Sequence, residues 1–214
     1  MPKTVYSLND VHMQIIYPET FKIELVDEKK NSLRKTRKNE NFANAGFFMP
    51  QSNGVTVPVG NLVIDGKVIT DTKHQSTNLS TCKHSVTTFV IYDDNTMGFV
   101  KTDDMSQVSG VKYAISGVPI IRNGRKVDMA AIKGEGYFGN ELYNTWHGFL
   151  GLRGSQIVYV ASKIDFELMV YLLEYLGITD AIKLDGGGSF ILHNNTSFEI
   201  KTGENRQINT IIKW

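Results

Sequence analysis

Turn signals punctuate this chain so often that most of the segments between them are too short for helices. Asp65-Gly66 separates Leu62-Val63-Ile64 from Val68-Ile69, and Asn123-Gly124 separates Ile120-Ile121 from Val127. Asp-Gly and Asn-Gly pairs accept the positive φ of a type I′ turn, so both read as two-residue hairpins. Asp93-Asp94-Asn95 divides Thr87–Tyr92 from Met97–Val100, and Arg153-Gly154 divides Phe149–Leu152 from Ile157–Val160. Asn194-Asn195 divides Phe190–Leu192 from Phe198–Ile200. Short apolar runs joined by polar turns predict a hairpin-rich, mostly antiparallel sheet protein.

Two helices interrupt that pattern. Asp165 is placed to cap, Phe166, Met169, Val170, Leu173 and Leu176 follow at helical spacing, and Gly177 supplies the stop. Ile178–Leu184 then returns to strand, which makes Ile157 to Leu184 a strand–helix–strand unit. A second, charged helix is predicted over Lys30–Lys38, where Lys29-Lys30, Arg34-Lys35 and Arg37-Lys38 form the basic cluster of the chain. It reads as a solvated helix face, with a phosphate-rich partner as the other reading. The fold class expected is α+β: a single domain over residues 1–214, of twisted, mostly antiparallel sheet with a few helices.

Composition removes several function classes. The 214 residues carry 23 Lys+Arg against 22 Asp+Glu, a formal net charge of +1. No overall electrostatic drive towards a nucleic acid polymer or an anionic membrane follows from that balance. The single cysteine, Cys82, cannot form an internal disulfide and reads as an incidental thiol. No apolar run approaches the roughly 18 residues of a membrane span. The first ten residues lack the apolar core of a secretory signal. These features predict a cytoplasmic protein with no membrane span; a phage-encoded chain would sit in the host cytoplasm or in the virion.

The densest chemical signal is Lys183-Leu184-Asp185-Gly186-Gly187-Gly188-Ser189. An apolar strand ends at an acid, and three glycines and a hydroxyl follow. Such a loop either brings backbone close to a ligand, its amides cradling an anion, or is a tight turn after a buried strand. It is not a P-loop, because no Gly-Lys-Ser/Thr follows. It is not an EF-hand, because the alternating acidic ligands are missing. A second signal is Asn44-Ala45-Gly46-Phe47-Phe48. Asn44 reads as a contact to a sugar hydroxyl or as a buried strand residue that caps backbone. Phe47 or Phe48 reads as a stacking platform for a sugar ring. A third is Ser116-Gly117-Val118-Pro119, ahead of Asn123-Gly124.

In this order the segments resemble the phosphodiester glycosidase family. The resemblance runs over about residues 40–212. It rests on Asn44–Phe48, Pro58 and Gly60, Asp65-Gly66, Gly117 and Pro119, Asn123-Gly124, and Leu176-Gly177 leading to Leu184–Ser189. One departure stands out. Where the family has an Arg-Thr pair, this chain has His147-Gly148. Arginine is a fixed bidentate phosphate binder, whereas histidine is charged only below its pKa. Arg122 and Arg153 are the candidates to compensate.

The resemblance implies a phosphodiester-glycosidase-like fold and a hydrolase that cleaves a glycosyl–phosphate bond. Substrates would be sugar-1-phosphodiesters, small or polymeric, or nucleotide-linked sugars. Asp185 is the first candidate carboxylate, with Glu135 in its glycine-flanked segment as the second and His147 as an acid or phosphate donor. The bland reading of Glu135 is an exposed turn residue. Substrate-binding candidates are Asn44, Gly46, Phe48, Ser116, Gly186, Gly187, Gly188 and Ser189. His193 is an alternative acid, placed by strand alternation on one face with Ser189 and Ile191. No cofactor is expected, and no metal, because no ligand spacing is recognisable. The rival functions are a non-catalytic carbohydrate- or nucleotide-binding module and a virion-associated structural protein.

Overall fold

The computed structural model describes residues 3–52, 54–75, 84–138, 145–194, 199–203 and 205–214. Cys82 and Asn195 lie outside them. The chain opens with β1 (Lys3–Leu8), β2 (Val11–Ile16), β3 (Lys22–Lys29), α1 (Lys30–Thr36), β4 (Phe42–Asn44), β5 (Phe48–Pro50) and β6 (Thr56–Pro58). It continues with β7 (Leu62–Ile64), β8 (Lys67–Thr70), β9 (Val86–Tyr92), β10 (Met97–Thr102), β11 (Val111–Ser116), β12 (Val118–Arg122), β13 (Arg125–Lys126) and α2 (Met129–Gly134). It ends with β14 (His147–Arg153), β15 (Gln156–Ser162), α3 (Phe166–Tyr175), β16 (Asp180–Gly186), β17 (Ile191–His193), β18 (Glu199–Lys201) and β19 (Gln207–Lys213).

Among the described residues the strands form a seven-stranded sheet in the order β1-β2-β15-β14-β16-β12-β13 and two five-stranded sheets, β10-β9-β11-β7-β8 and β18-β17-β4-β19-β3. A two-stranded ribbon joins β5 to β6. All pairings are antiparallel, as the frequent turns predicted. Asp65-Gly66 and Asn123-Gly124 both take positive φ (48° and 76°, 51° and 71°), which is the type I′ geometry. The strand–helix–strand unit is β15–α3–β16, with β14 inserted between the two strands. Asp165 caps α3 by accepting from the Glu167 and Leu168 amides, and Gly177 ends it at φ 70°.

The central strands β14, β15 and β16 of the seven-stranded sheet are buried on both faces, which explains why Phe149–Leu152 and Ile157–Val160 are apolar without alternation. Leu150, Leu152, Ile182 and Leu184 face a core shared with Phe89, Ile115, Leu192 and Ile212 of the two five-stranded sheets. Phe149, Val158, Val160 and Ala181 face Met169, Val170 and Leu173 of α3. No helix among the described residues is long and apolar enough to cross a membrane.

Three local expectations need correction. The Asn44–Phe48 segment is not one strand: it breaks at Ala45–Phe47, where the chain leaves β4 for β5. Helix α2 precedes Glu135 unannounced; Asp128 starts it by accepting from the Ala131 amide at 2.7 Å. Helix α1 stops at Thr36, and it is not a uniformly solvated face. Lys30 is fully buried together with Leu33, three residues on along the same helix face. Arg37 meets Glu24 and Glu40, and Arg34 meets Glu199.

Buried His12 on β2 makes stability depend on pH. Burial lowers its pKa from 6.5 to about 4. The unfolded chain therefore binds the extra proton between those values, and stability falls as pH drops through that window, by about 3 kcal/mol. Urea melts at pH 4 and pH 7 check this. The wild type is expected to lose more stability on acidification than His12→Gln, and equal losses would refute it.

Candidate active site

The site grows from the end of β16. Its pairing partners β14 and β12 carry it in register, with Phe149 and Val118 both opposite Lys183. Successive side chains of a strand alternate, so Lys183 and Asp185 project to one side while Leu184 enters the core. Lys183 is buried, with its ammonium 5.1 Å from the centre of the Phe47 ring and 3.2 Å from the Leu184 carbonyl oxygen, to which it donates. At Asp185 the strand meets β4. The Asp185 amide donates to the Ala45 carbonyl at 2.9 Å, and Asn44 Nδ2 donates to the Asp185 carbonyl at 3.1 Å.

The three glycines do different work. The Gly186 amide donates to the Asp185 carboxylate at 2.8 Å. A Cβ on Gly186 would lie 2.1 Å from His147 Nδ1 and 2.6 Å from the Trp146 carbonyl oxygen, so only glycine lets these two strands approach. Gly187 takes φ 60° and donates its amide to Trp146 at 2.8 Å. Gly188 turns its carbonyl inward, where Lys30 Nζ (2.6 Å) and Thr202 Oγ1 (3.0 Å) donate to it. Two of the three amides expected to cradle a ligand are thus engaged by the protein, Gly186 within the turn and Gly187 by Trp146. Gly186→Ala is expected to destabilise the fold by about 1–3 kcal/mol through this overlap. Thermal melts check it, and an unchanged melting temperature would show that the approach is not tight.

Ser189, at the end of the turn, is buried. Burial pushes the Asp185 carboxyl above the usual carboxylate range. Lys183, the Gly186 amide, the Ser189 hydroxyl and Arg206 pull against that rise without cancelling it. Asp185 therefore holds its proton to higher pH than an exposed aspartate, and its ionised form is the more basic for it.

The structure brings Asn44, Asp185, Gly186–Ser189 and His147 together. Asn44 is 2% exposed, and both ends of its amide bind backbone: Nδ2 donates to Asp185, and Oδ1 accepts from Ile191 at 3.0 Å. It ties β4 to the two ends of the glycine turn. Gly46 is buried with room for a Cβ beside Ile115 and Thr210, and half-buried Phe48 pairs with Pro58. Phe47, rather than Phe48, is the aromatic beside Lys183. Ser116 is buried and accepts the Asn61 amide at 2.9 Å.

Glu135 occupies neither of the surroundings expected of it. It is 0% exposed, at the end of α2, and four donors surround its carboxylate. The Thr87 amide (2.7 Å), Thr87 Oγ1 (2.9 Å), Arg122 Nη2 (2.9 Å) and Lys101 Nζ (3.1 Å) supply them. Arg122 is accordingly engaged by Glu135. Arg153 pairs with Gln156 at the turn end of β14, six residues from His147 and so about 20 Å along the strand. Neither arginine stands at the glycine turn. His193 faces the Lys38 carbonyl and Glu199, its ring tilted against that of Phe42 with 5.2 Å between centroids. The predicted alternation fails because Gly187–Ser189 is a 3-10 turn rather than strand.

One residue beside the site went unassigned from sequence, Lys183, whose signal was its i, i+2 spacing from Asp185.

One further cluster of ligand-capable residues has protein partners of its own. Asp71, His74 and Asp104 bring ligand-capable atoms within 4.8 Å of one another. Asp104 is already held by Lys73 at 2.7 Å and by Ser106, and Asp71 by the His74 amide and ring. A cavity of about 480 Å³ lies beside Arg122, Arg125 and Lys126, at the Asp180 end of β16 and away from Asp185.

A family model described as phosphodiester glycosidase matches residues 40–212, a span that contains every residue of the glycine turn and its Asn44 tie. The chain belongs to the phosphodiester glycosidase family. Its fold is similar to the catalytic domain of zebrafish N-acetylglucosamine-1-phosphodiester alpha-N-acetylglucosaminidase, a structure auto-inhibited by its pro-peptide. That likeness has a TM-score of 0.70 at 17% identity and covers 100% of this chain and 81% of the zebrafish chain. A hypothetical protein from Synechocystis is similar at a TM-score of 0.60 and 12% identity, over 99% of this chain and 61% of that one. A protein from Burkholderia pseudomallei K96243 is similar at 0.57 and 10% identity, over 95% and 73%. The sequence matches no curated protein. At these identities the likenesses speak for the fold, and the family match for the glycosidase class.

Proposed function

We propose that this phosphodiester glycosidase family member is a hydrolase of glycosyl phosphates. The bond between a sugar's anomeric carbon and a phosphate oxygen breaks, and a bond from the anomeric carbon to water oxygen forms. Free sugar and a phosphomonoester leave. Substrates of this class are sugar-1-phosphodiesters, small or polymeric, and nucleotide-linked sugars.

The observation that carries the reading is the Asp185 carboxyl. Burial raises its proton affinity, yet the Gly186 amide donates to it at 2.8 Å at the start of the glycine turn, and the charge of Lys183, two residues back on the same strand, opposes the rise. An ionised Asp185 of raised basicity takes a proton from the attacking water and offsets the positive charge that develops on the sugar. A phosphomonoester is a good leaving group, so acid assistance at the departing oxygen is secondary, and His147 against Gly186 is the candidate for it. Glu135 serves in this reading as the buried counter-ion of Arg122 and Lys101.

A substrate panel tests the proposal: a nitrophenyl sugar phosphodiester, a nucleotide sugar and an ordinary nitrophenyl glycoside. Turnover of the first two is expected. Turnover of the ordinary glycoside alone would assign a different glycosidase activity, and saturable binding without product would assign a binding module.

A further inference from the structure

Three glycines in a row have no side chains to fix a turn, so its shape is imposed from outside, through the backbone. We infer that Lys30 is the positioning residue of the glycine turn. Its buried ammonium fixes the Gly188 carbonyl, and through the turn it fixes the Gly186 amide that orients the Asp185 carboxylate. This rests on the proposed reading of Asp185 as the group that activates water. It adds to the site a residue outside the matched span, which begins at residue 40.

Lys30 is held at both ends. Its backbone amide, directly after β3, donates to the Arg206 carbonyl at 3.1 Å, and the Asn31 amide donates to Asn205 Oδ1 at 2.9 Å. Leu33, three residues on, is buried on the same side of α1. At the other end the ammonium donates to the Gly188 carbonyl at 2.6 Å, to Thr202 Oγ1 at 2.9 Å and to the Thr202 carbonyl at 3.2 Å. An ammonium has three hydrogens and no acceptor, and these oxygens match it in number. Thr202, directly after β18, also donates its hydroxyl to the Gly188 carbonyl at 3.0 Å. One carbonyl of the turn thus receives a charged donor and a neutral one.

Taking a charge wholly out of water is unfavourable, and an apolar side chain would fill the same space more easily. Lys30 is nonetheless 0% exposed. What its charge supplies is a grip on a carbonyl that glycine itself cannot hold. The consequence reaches Asp185 within a few residues. The Phe190 amide closes the turn on the Gly187 carbonyl at 3.1 Å, and the Gly187 amide is held by Trp146 at 2.8 Å. The Gly186 amide meets the Asp185 carboxylate at 2.8 Å. Asn44 on β4 ties down the two ends of the segment, at Asp185 and Ile191, and Lys30 ties down its middle. With Gly188 released, a run of glycines that tolerates both signs of φ relaxes, and the Gly186 amide no longer aims the carboxylate.

The test uses the full chain as wild type, Lys30→Met, Thr202→Val and Leu33→Ala. The last removes apolar packing from the same helix face and leaves the clamp in place, so it controls for lost stability. Amide exchange at Gly186 and Gly187 is read by NMR against the Ile182 amide of β16, which reports opening of the whole sheet. Values of kcat and KM are measured on a sugar phosphodiester. Lys30→Met is expected to speed exchange at both turn amides at least about 10-fold relative to Ile182, as befits a lost charge-assisted hydrogen bond. Its kcat should fall at least about 10-fold with KM within about threefold of wild type, because Asp185 acts in the transition state. Thr202→Val keeps the side-chain shape and should give the same two changes at about threefold. Leu33→Ala should give neither per folded molecule. Turn amides in Lys30→Met that move no more than in Leu33→Ala overturn the assignment. If Lys30→Met does not fold, Thr202→Val decides, and wild-type exchange at its turn amides overturns the assignment equally. Cleavage at wild-type kcat by Lys30→Met removes Lys30 and leaves the hydrolase reading intact. Faster turn exchange in Lys30→Met, in a chain that cleaves no member of the panel, upholds the clamp and removes the hydrolase reading.

Discussion

Asp185→Asn is expected to lower turnover of a sugar phosphodiester by at least about 100-fold, the low end for removing a positioned acid–base group. The amide keeps the size of the carboxyl and can still accept from the Gly186 amide, so the turn should hold. The stability effect has a definite sign. Because the Asp185 pKa is raised on folding, the folded chain binds more protons than the unfolded one between the two values, and stability falls as pH rises through them. Above that window the buried carboxylate is a standing cost, which the neutral amide does not carry. At pH 7 the variant should therefore melt no lower than wild type. Parallel melts and single-substrate kinetics check both halves. Normal turnover at normal stability would take Asp185 out of the mechanism, and lowered stability with normal specific activity would make it a structural residue.

Glu135→Gln should do the opposite. Four donors converge on a carboxylate with no exposure, and two of them are charged. Removing one partner of a buried ion pair leaves the other uncompensated, at a cost of about 3–5 kcal/mol. Arg122 and Lys101 are partly exposed and can turn to water, so the lower end of that range is expected. Chemical denaturation reads the loss, and protein that still folds should keep its turnover per folded molecule. A stable but inactive Glu135→Gln would instead place Glu135 among the catalytic groups.

These two acids show where the sequence was legible. Asp185 announced itself because its setting is local: a strand, an acid and three glycines are adjacent in the chain. The Asp65-Gly66 and Asn123-Gly124 hairpins and the Asp165-to-Gly177 helix are legible for the same reason, since positive φ and capping are properties of neighbouring residues. Glu135 also has a distinctive local sequence, but its partners come from positions 87, 101 and 122, which no local pattern foretells. Lys30 belongs to a basic run that reads as solvated. Its burial follows from Gly188 and Thr202, more than 150 positions away. Its spacing from Leu33 was the one hint that it lies on the inner face of α1. The break of the Asn44–Phe48 segment is another long-range effect. Ala45 bonds to both Thr210 and Asp185, and beyond it the chain turns off to pair β5 with β6.

The central claim is that this chain breaks the bond on the sugar side of a glycosyl phosphate. Hydrolysis of a sugar-1-phosphodiester in ¹⁸O-labelled water decides it, with the sugar followed by mass spectrometry and the phosphomonoester by ³¹P NMR. The account predicts the heavy oxygen on the anomeric carbon of the released sugar and none in the phosphomonoester, with product formation strongly reduced in Asp185→Asn. Heavy oxygen in the phosphomonoester would mean attack at phosphorus, and would contradict the account.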